Sequence, residues 1–293
     1  MRYLIALGGN ALDDSKAMAG AARVIAKLHA EGNEIVVTHG NGPQVGELAI
    51  AEHENLAVLT AQTQAWIGLN ISGKISTELR RLRVRAGDSI PEIMLTRTLV
   101  DRTDPAFRNP TKPIGRFYSK SEAARMSGKG MRMKKLINGY RRVVPSPEAK
   151  DILGKETIAR LLKLNHIVIA CGGGGIPVFE TGRGLRFADA VIDKDSASSL
   201  LARQISADRF IILTNVQGVF INFREKDERL LNSVSSKELE KYLNDGQFEQ
   251  GSMAPKVRAC LSFARHRKRP AAIGRMEDAA SVVLGKSGTT IMP

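Results

Sequence analysis

Apolar residues along the chain fall into short runs separated by longer stretches of helical period. The runs Tyr3–Leu7, Glu34–Thr38, Glu92–Thr96, His166–Cys171, Arg209–Thr214 and Ala271–Gly274 predict strands, and the first reads as a buried opening strand. Helical periodicity covers Ser15–Glu31, Pro43–Glu54, Leu59–Arg83, Lys155–Leu164, Asp195–Ile205, Ser235–Leu243 and Met253–Arg267. Strands alternating with helices predict βαβ units, and so a mostly parallel α/β sheet with helices on both faces. Val178–Asp189 alternates about central glycines and predicts a β-hairpin. One region breaks the rhythm. Residues 104–147 are rich in Pro, Gly, Lys and Arg and weak in long apolar periodicity, which predicts an excursion from the main sheet, a small subdomain or lid.

Composition narrows the class. The chain has 293 residues, 43% of them hydrophobic and 25% charged, and no apolar run approaches a membrane helix. The start, MRYLIALGGNAL, runs straight into a glycine turn and does not read as a signal peptide. The two cysteines, Cys171 and Cys260, make no disulfide framework, and no Cys/His spacing resembles a metal site. A reducing cytoplasm is the expected setting. Cys171 has no evident base nearby and reads as a small buried residue at a strand end. The net charge is +14, with basic runs near residues 80–83, 129–135 and 265–269. Few aromatics accompany these runs, so they read as solvated faces rather than nucleic-acid platforms. In the stretch 59–83, Ala61, Ala65, Ile67, Leu69 and Ile71 spread too far around a helix for one core face, which predicts part of a two-fold homodimer interface.

The candidate chemistry lies in three glycine turns, each directly after an apolar run: Gly8-Gly9-Asn10, His39-Gly40-Asn41-Gly42 and Gly172 through Gly175. In a parallel α/β sheet all three leave the carboxyl edge, where ligands bind. Glycine there permits close approach of backbone to ligand, and the following helix starts favour anions. Three such turns suggest a site for several anionic groups. His39 reads as stabilising its turn by a hydrogen bond rather than as an acid or base. Gly68 through Ile75 nearly matches a P-loop, but it ends in Ile and lies in a helical stretch, so it is dismissed. Asp193-Lys194-Asp195 precedes a small-residue helix and leaves two readings open. Asp195 caps the helix, or Lys194 is aimed at phosphate with Asp195 holding it. Ser252 reads as the N-cap of the last long helix, and Lys256 is an unusual cation for a first turn unless an anion shares the site.

These segments together resemble the carbamate kinases of the amino acid kinase family. The matching stretches include ALGGNAL (6–12), THGNGPQVG (38–46), AQTQ (61–64), DPAFRNPTKPIG (104–115), GYRRVVPSP (139–147), IVIACGGGGIPV (167–178), AVIDKDSASSLLA (190–202), IILTNVQGVFINF (211–223) and GSMAPKV (251–257). They keep their order and cover nearly the whole chain.

The resemblance implies an open αβα sandwich in two lobes. Residues 1–153, with the lid at about 104–147, would bind carbamate or carbamoyl phosphate and form the dimer. Residues 154–293 would bind ADP or ATP with Mg²⁺. Gly8, Gly9, Asn10, Gly40, Asn41, Gly42, Gly173 and Gly174 would line the transferring phosphoryl group. Lys112 would reach in from the lid. Lys194 and Lys256 would flank the phosphates, with Asp195 as organiser. Thr214, Asn215, Val219, Phe220 and Met253 would border the nucleotide.

The implied activity is reversible transfer between ATP and carbamate, with ATP formation from ADP and carbamoyl phosphate as the expected direction. Carbamate is already an anion and needs no general base, in keeping with the lack of one beside the glycine turns. Departures from the family pattern are a shortened loop at residues 11–17, Asn215 in place of the usual Asp, and Ile137-Asn138 and the basic run 131–135 in the lid. Two alternatives stay open: a related kinase with another small acceptor, and a catalytically silent basic protein that binds nucleic acid.

Overall fold

The computed structural model describes residues 1–8, 12, 14–51, 54–84 and 90–293. Gly9, Asn10, Ala11 and Asp13 lie outside the described residues. The expected strands assemble into one eight-stranded sheet. Its order is Ser233–Ser235, Thr289–Met292, Ala271–Arg275, Arg209–Thr214, Arg2–Leu7, Glu34–His39, Val168–Ile169, Glu92–Ile93. Neighbours run parallel except at the pairing of Ala271–Arg275 with Thr289–Met292.

The strands read as unbroken apolar runs because both faces are covered. Alternate residues Leu4, Ala6, Phe210, Ile212 and Val36 point to one core, shared with Ile158 of Lys155–Lys163, Leu201 of Lys194–Gln204 and Phe263 of Met253–Arg267. Ile5, Leu7, Ile211, Leu213 and Val37 point to the other, shared with Ile25 of Ser15–Ala30 and Ile67, Ile71 and Ile75 of Leu56–Arg81. The result is the expected αβα sandwich. The Gly68–Ile75 segment lies within Leu56–Arg81 and forms no loop. Among the described residues, no helix is long and apolar enough to cross a membrane.

The expected strand Glu92–Thr96 is cut short. Gln64, buried on the long helix, binds both backbone polar groups of Thr96, through Thr96 N–H at 2.8 Å and Thr96 C=O at 3.2 Å. The chain turns there, and Arg97–Val100 joins a second sheet in the order Gly184–Phe187, Ile176–Thr181, Arg97–Val100, Ala149–Leu153. Its hairpin, Thr181 opposite Gly184, is the one expected from the alternation.

The excursion at 104–147 is more regular than its composition suggests. Lys112–Tyr118, Gly139–Val144 and Met133–Leu136 form an antiparallel three-stranded sheet in that order. Helix Lys120–Gly128 joins two of them, with Ser119 and Glu122 forming a capping box. Short strands carrying lysine and arginine on a wet face show no apolar periodicity, which is why they do not announce themselves.

On the sheet edge away from the glycine turns, His29 is buried with neither ring nitrogen hydrogen-bonded. Burial lowers its pKa below the usual 6.5. The folded chain therefore holds His29 neutral, while the unfolded chain takes up its proton first as pH falls. Its contribution to stability is complete above 6.5 and is lost as pH drops below that value. We expect His29→Leu to lose less stability than the parent between about pH 7 and pH 5, measured by urea unfolding. Equal losses in both proteins would remove His29 as a source of acid lability.

Candidate active site

The three glycine turns leave one edge of the main sheet at the same level. Leu7 pairs with both His39 and Leu213, and Val37 pairs with Ile169. Gly8 N–H bonds Leu213 C=O at 2.8 Å, and Gly40 N–H bonds Leu7 C=O at 3.0 Å. The third turn is wedged among its neighbours. A Cβ on Gly172 would lie 2.3 Å from His39 Nε2, one on Gly173 2.2 Å from the Asn41 amide, and one on Gly174 2.7 Å from the Ile192 carbonyl. Gly173 also has a φ of +62°, which disfavours any side chain. A layer of buried side chains sets these positions. Asn41 donates to Thr63 Oγ1 at 2.9 Å, Thr98 Oγ1 donates to Gly174 C=O at 2.7 Å, and Cys171 N–H donates to Thr96 Oγ1 at 3.0 Å.

Beside this turn, helix Lys194–Gln204 begins. Its cap is Asp193, whose side chain accepts from the N–H groups of Asp195 and Ser196, both at 3.0 Å. The reading in which Asp195 caps the helix is thereby corrected. Asp195 lies two positions past the cap, already inside the helix, and its carboxylate is turned to other partners. It accepts from Lys194 Nζ at 2.5 Å and from Lys256 Nζ at 2.9 Å, and only 3% of the residue is exposed. Burial alone pushes the Asp195 pKa up. The two ammonium groups more than offset this and hold it well below the usual carboxylate range. Burial lowers the Lys194 pKa, whereas Asp195 overcomes burial and raises that of Lys256. Lys112, on the first strand of the excursion, reaches Asp193 Oδ2 at 2.5 Å. Three lysines from three segments thus face two carboxylates at a helix N-terminus.

His39 packs against Gly172, with Nδ1 3.0 Å from Gly40 C=O. Burial pushes its pKa down to about 4, so the ring is neutral and serves its own turn, in line with the sequence. Cys171 is buried, its pKa raised to about 12 by burial, and both cysteines are free. Neither is placed as a nucleophile.

The remaining expected residues occupy the next strand end. Thr214 closes Arg209–Thr214 and lies against Gly8, where a Cβ would be 3.4 Å from Thr214 Cα. Asn215 follows, exposed, and its Oδ1 accepts from Thr214 Oγ1 at 3.3 Å. Phe220 is half-buried, with its ring centroid 6.0 Å from that of Phe223. Val219 is buried in the core and gives its N–H to Thr289 Oγ1. Met253 is half-buried at the start of Met253–Arg267. Gly42 begins helix Gly42–Ala51. Ser252 does not cap its helix by side chain as expected. Its hydroxyl donates to Glu249 at 2.6 Å instead.

Sequence reasoning missed the positioning layer. Thr63 and Gln64 belong to the AQTQ stretch, which was matched as a motif without being given a job. Thr96 and Thr98 follow an apolar run, and nothing local marks them. Thr38 Oγ1 and Ser198 Oγ lie 2.7 Å apart and tie the second strand to the lysine-bearing helix.

Glycine turns, converging lysines and a helix N-terminus on one sheet edge define an α/β protein built to hold several phosphate-like charges. The profile of the amino acid kinase family matches residues 1–275. A carbamate kinase of Thermoplasma volcanium is 43% identical, with all of both chains covered. A carbamate kinase-like protein of Escherichia coli is also 43% identical, over 99% of this chain and 98% of that one. The structure of carbamate kinase from Giardia lamblia bound to AMP-PNP superposes with a TM-score of 0.86 at 36% identity, covering 99% of this chain and 98% of that one. The chain belongs to the amino acid kinase family and, within it, groups with the carbamate kinases.

Proposed function

We propose that this chain catalyses reversible phosphoryl transfer between ATP and carbamate. The observation that carries the reading is the buried carboxylate of Asp195 holding Lys194 and Lys256 side by side next to the Gly172–Gly175 turn. In the ATP-forming direction a terminal β-phosphate oxygen of ADP attacks the phosphorus of carbamoyl phosphate. The bond from phosphorus to the carbamoyl oxygen breaks, and carbamate leaves with the electron pair. No proton need move, so the absence of a poised acid or base at His39 suits the chemistry. The barrier lies in bringing two anions together, and catalysis then rests on alignment and charge neutralisation. Lys194 and Lys256 serve the charge spread over the transferring group. The N–H groups of Asn41, Gly42 and Gly173 orient it, while Gly8, Gly40 and Gly174, whose own N–H groups bond Leu213, Leu7 and Cys171, let the backbone come close, with Gly9 and Asn10 completing the first turn. Lys112 enters from the lid. Thr214, Asn215, Val219, Phe220 and Met253 border the nucleotide.

Mg²⁺ enters with the nucleotide in this reading. No group of three or more metal-ligating side chains occurs among the described residues, and Asp193 and Asp195 are already engaged by lysines. Its ligands would be chiefly phosphate oxygens and water, the usual arrangement for this ion. Bound there, it neutralises phosphate charge. The division of labour follows the chain: residues 1–153, with the 104–147 lid, take carbamate or carbamoyl phosphate, and 154–293 take ADP or ATP. Buried free thiols fit a reducing cytoplasm.

A homodimer is part of the proposal. Of the residues singled out on the long helix, Ile67 and Ile71 are buried, but Ala65 and Leu69 are exposed beside Trp66, itself 54% exposed. From position 62 to 73 this exposed stripe carries no charge, which suits a helix crossing its own copy. Sedimentation should show a dimer at micromolar concentration and a shift toward monomer for Leu69→Lys. A parent that sediments as monomer would contradict this.

ATP formation from ADP and carbamoyl phosphate should be Mg²⁺-dependent. Lys194→Met, which keeps the buried stem, should lower turnover by roughly 10²–10³ with folding retained by circular dichroism. A folded parent that makes no ATP would overturn the function, and near-normal turnover in Lys194→Met would overturn the role given to Lys194.

A further inference from the structure

Two of the motifs that single out this family end in glycine, THGNGPQVG at Gly46 and NPTKPIG at Gly115. Neither glycine lies among the residues expected to touch phosphate. The structure puts them against each other. A Cβ on Gly46 would lie 2.0 Å from both Cα and N of Gly115 and 3.0 Å from the carbonyl carbon of Ile114. Helix Gly42–Ala51 and the lid strand Lys112–Tyr118 therefore meet backbone to backbone. Gly115 itself has a φ of +68° and lies where the register of the lid sheet slips.

The contact is reinforced on both sides. Arg141 Nη2 donates to Gly115 C=O at 2.5 Å, and Arg142 Nη1 donates to Ala49 C=O on the helix at 3.1 Å. Ile114 is buried with Val45 and Ala49 of that helix.

Gly46 lies one helical turn beyond Gly42, on the same face, and Gly42 belongs to the second glycine turn. Lys112 lies three residues from Gly115 on the same strand and ends on Asp193. A stiff strand and a stiff helix thus connect the glycine turn to the lid lysine through a single close contact.

From this we infer that Gly46 is a positioning residue for phosphoryl transfer. Its missing side chain lets the lid seat directly on the helix that starts at the phosphate turn, and that seat fixes where Lys112 arrives. The inference rests on the phosphotransfer reading above. A methyl group at Gly46 must push the lid strand outward by roughly an ångström or more before ordinary contact distance returns. The displacement is carried along the strand to Lys112, and a misplacement of that size costs about 10²-fold in rate.

The test is a double-mutant cycle read by steady-state ATP formation, together with hydrogen exchange. Gly46→Ala should lower kcat/KM for carbamoyl phosphate by roughly 10²-fold and leave the calorimetric Kd for ADP within about twofold. In a Lys112→Ala background the same change should cost less than about threefold, because the residue being positioned is gone. Independently of activity, Gly46→Ala should speed deuterium uptake in residues 112–118 and 139–144 and leave the main sheet unchanged. Losses that multiply in the double variant, or unchanged lid exchange, would overturn the inference. Should Gly46→Ala fail to fold, Arg142→Met removes the bond to Ala49 from the same seat and should show the same non-additivity with Lys112→Ala, at smaller amplitude. An inactive parent would count against the phosphotransfer reading, and lid exchange would still decide the seat.

Discussion

The structure depends on a single buried carboxylate. Lys194 opens one helix and Lys256 sits in the first turn of another, and both positions place a cation where the helix dipole disfavours it. Both ammonium groups are largely removed from water, as is the carboxylate between them. Asp195 makes the arrangement tolerable by bonding to both. Removing one partner from a buried charge pair costs about 3–5 kcal/mol, because the remaining charge has no other compensation. Here the loss of Asp195 would leave two like charges close together. The proposed use of phosphate substrates rests on the same geometry: a phosphate chain would supply negative charge to the two lysines and the neighbouring N–H groups.

Other features are placed around that centre. Asp193 caps the helix and so frees Asp195 for the lysines, and it also receives Lys112 from the three-stranded excursion. The Gly172–Gly175 turn fits between His39, Asn41, Ile192 and Thr98 with no room for side chains. The long helix contributes Thr63 and Gln64 to hold that turn and its neighbouring strand, while its opposite face stays open. Neutral His39 packs against the Gly172 end of that turn and adds no competing charge near Lys194.

Much of this was legible in the chain. The central strands announce themselves because both faces are buried, and the glycine turns do so because several glycines follow an apolar run. Lys256 stood out as a cation in a first helical turn, spacing alone left the Asp-Lys-Asp triplet ambiguous between a cap and a charge holder until the motif resemblance weighed in, and Lys112 came from that resemblance alone. The cap was misassigned because Asp193 and Asp195 are chemically identical, and only backbone geometry tells which one precedes the first helical turn. The lid sheet was hidden by its lysines and arginines, whose stems pack while their charges stay wet. Gly46 and Gly115 were visible as letters of two motifs, but their meeting across 69 positions of sequence is a tertiary fact. The threonine layer behind the turn has no local signature at all.

The most direct test of the central claim is the unfolding free energy of Asp195→Asn beside that of Lys194→Met, each measured with and without inorganic pyrophosphate. If Asp195 is what reconciles the two lysines, Asp195→Asn loses about 3–5 kcal/mol and Lys194→Met distinctly less, since Asp195 then still has Lys256. Pyrophosphate should restore part of the loss in Asp195→Asn by supplying negative charge to the stranded lysines. An Asp195→Asn protein as stable as the parent, with no added response to pyrophosphate, would contradict the account.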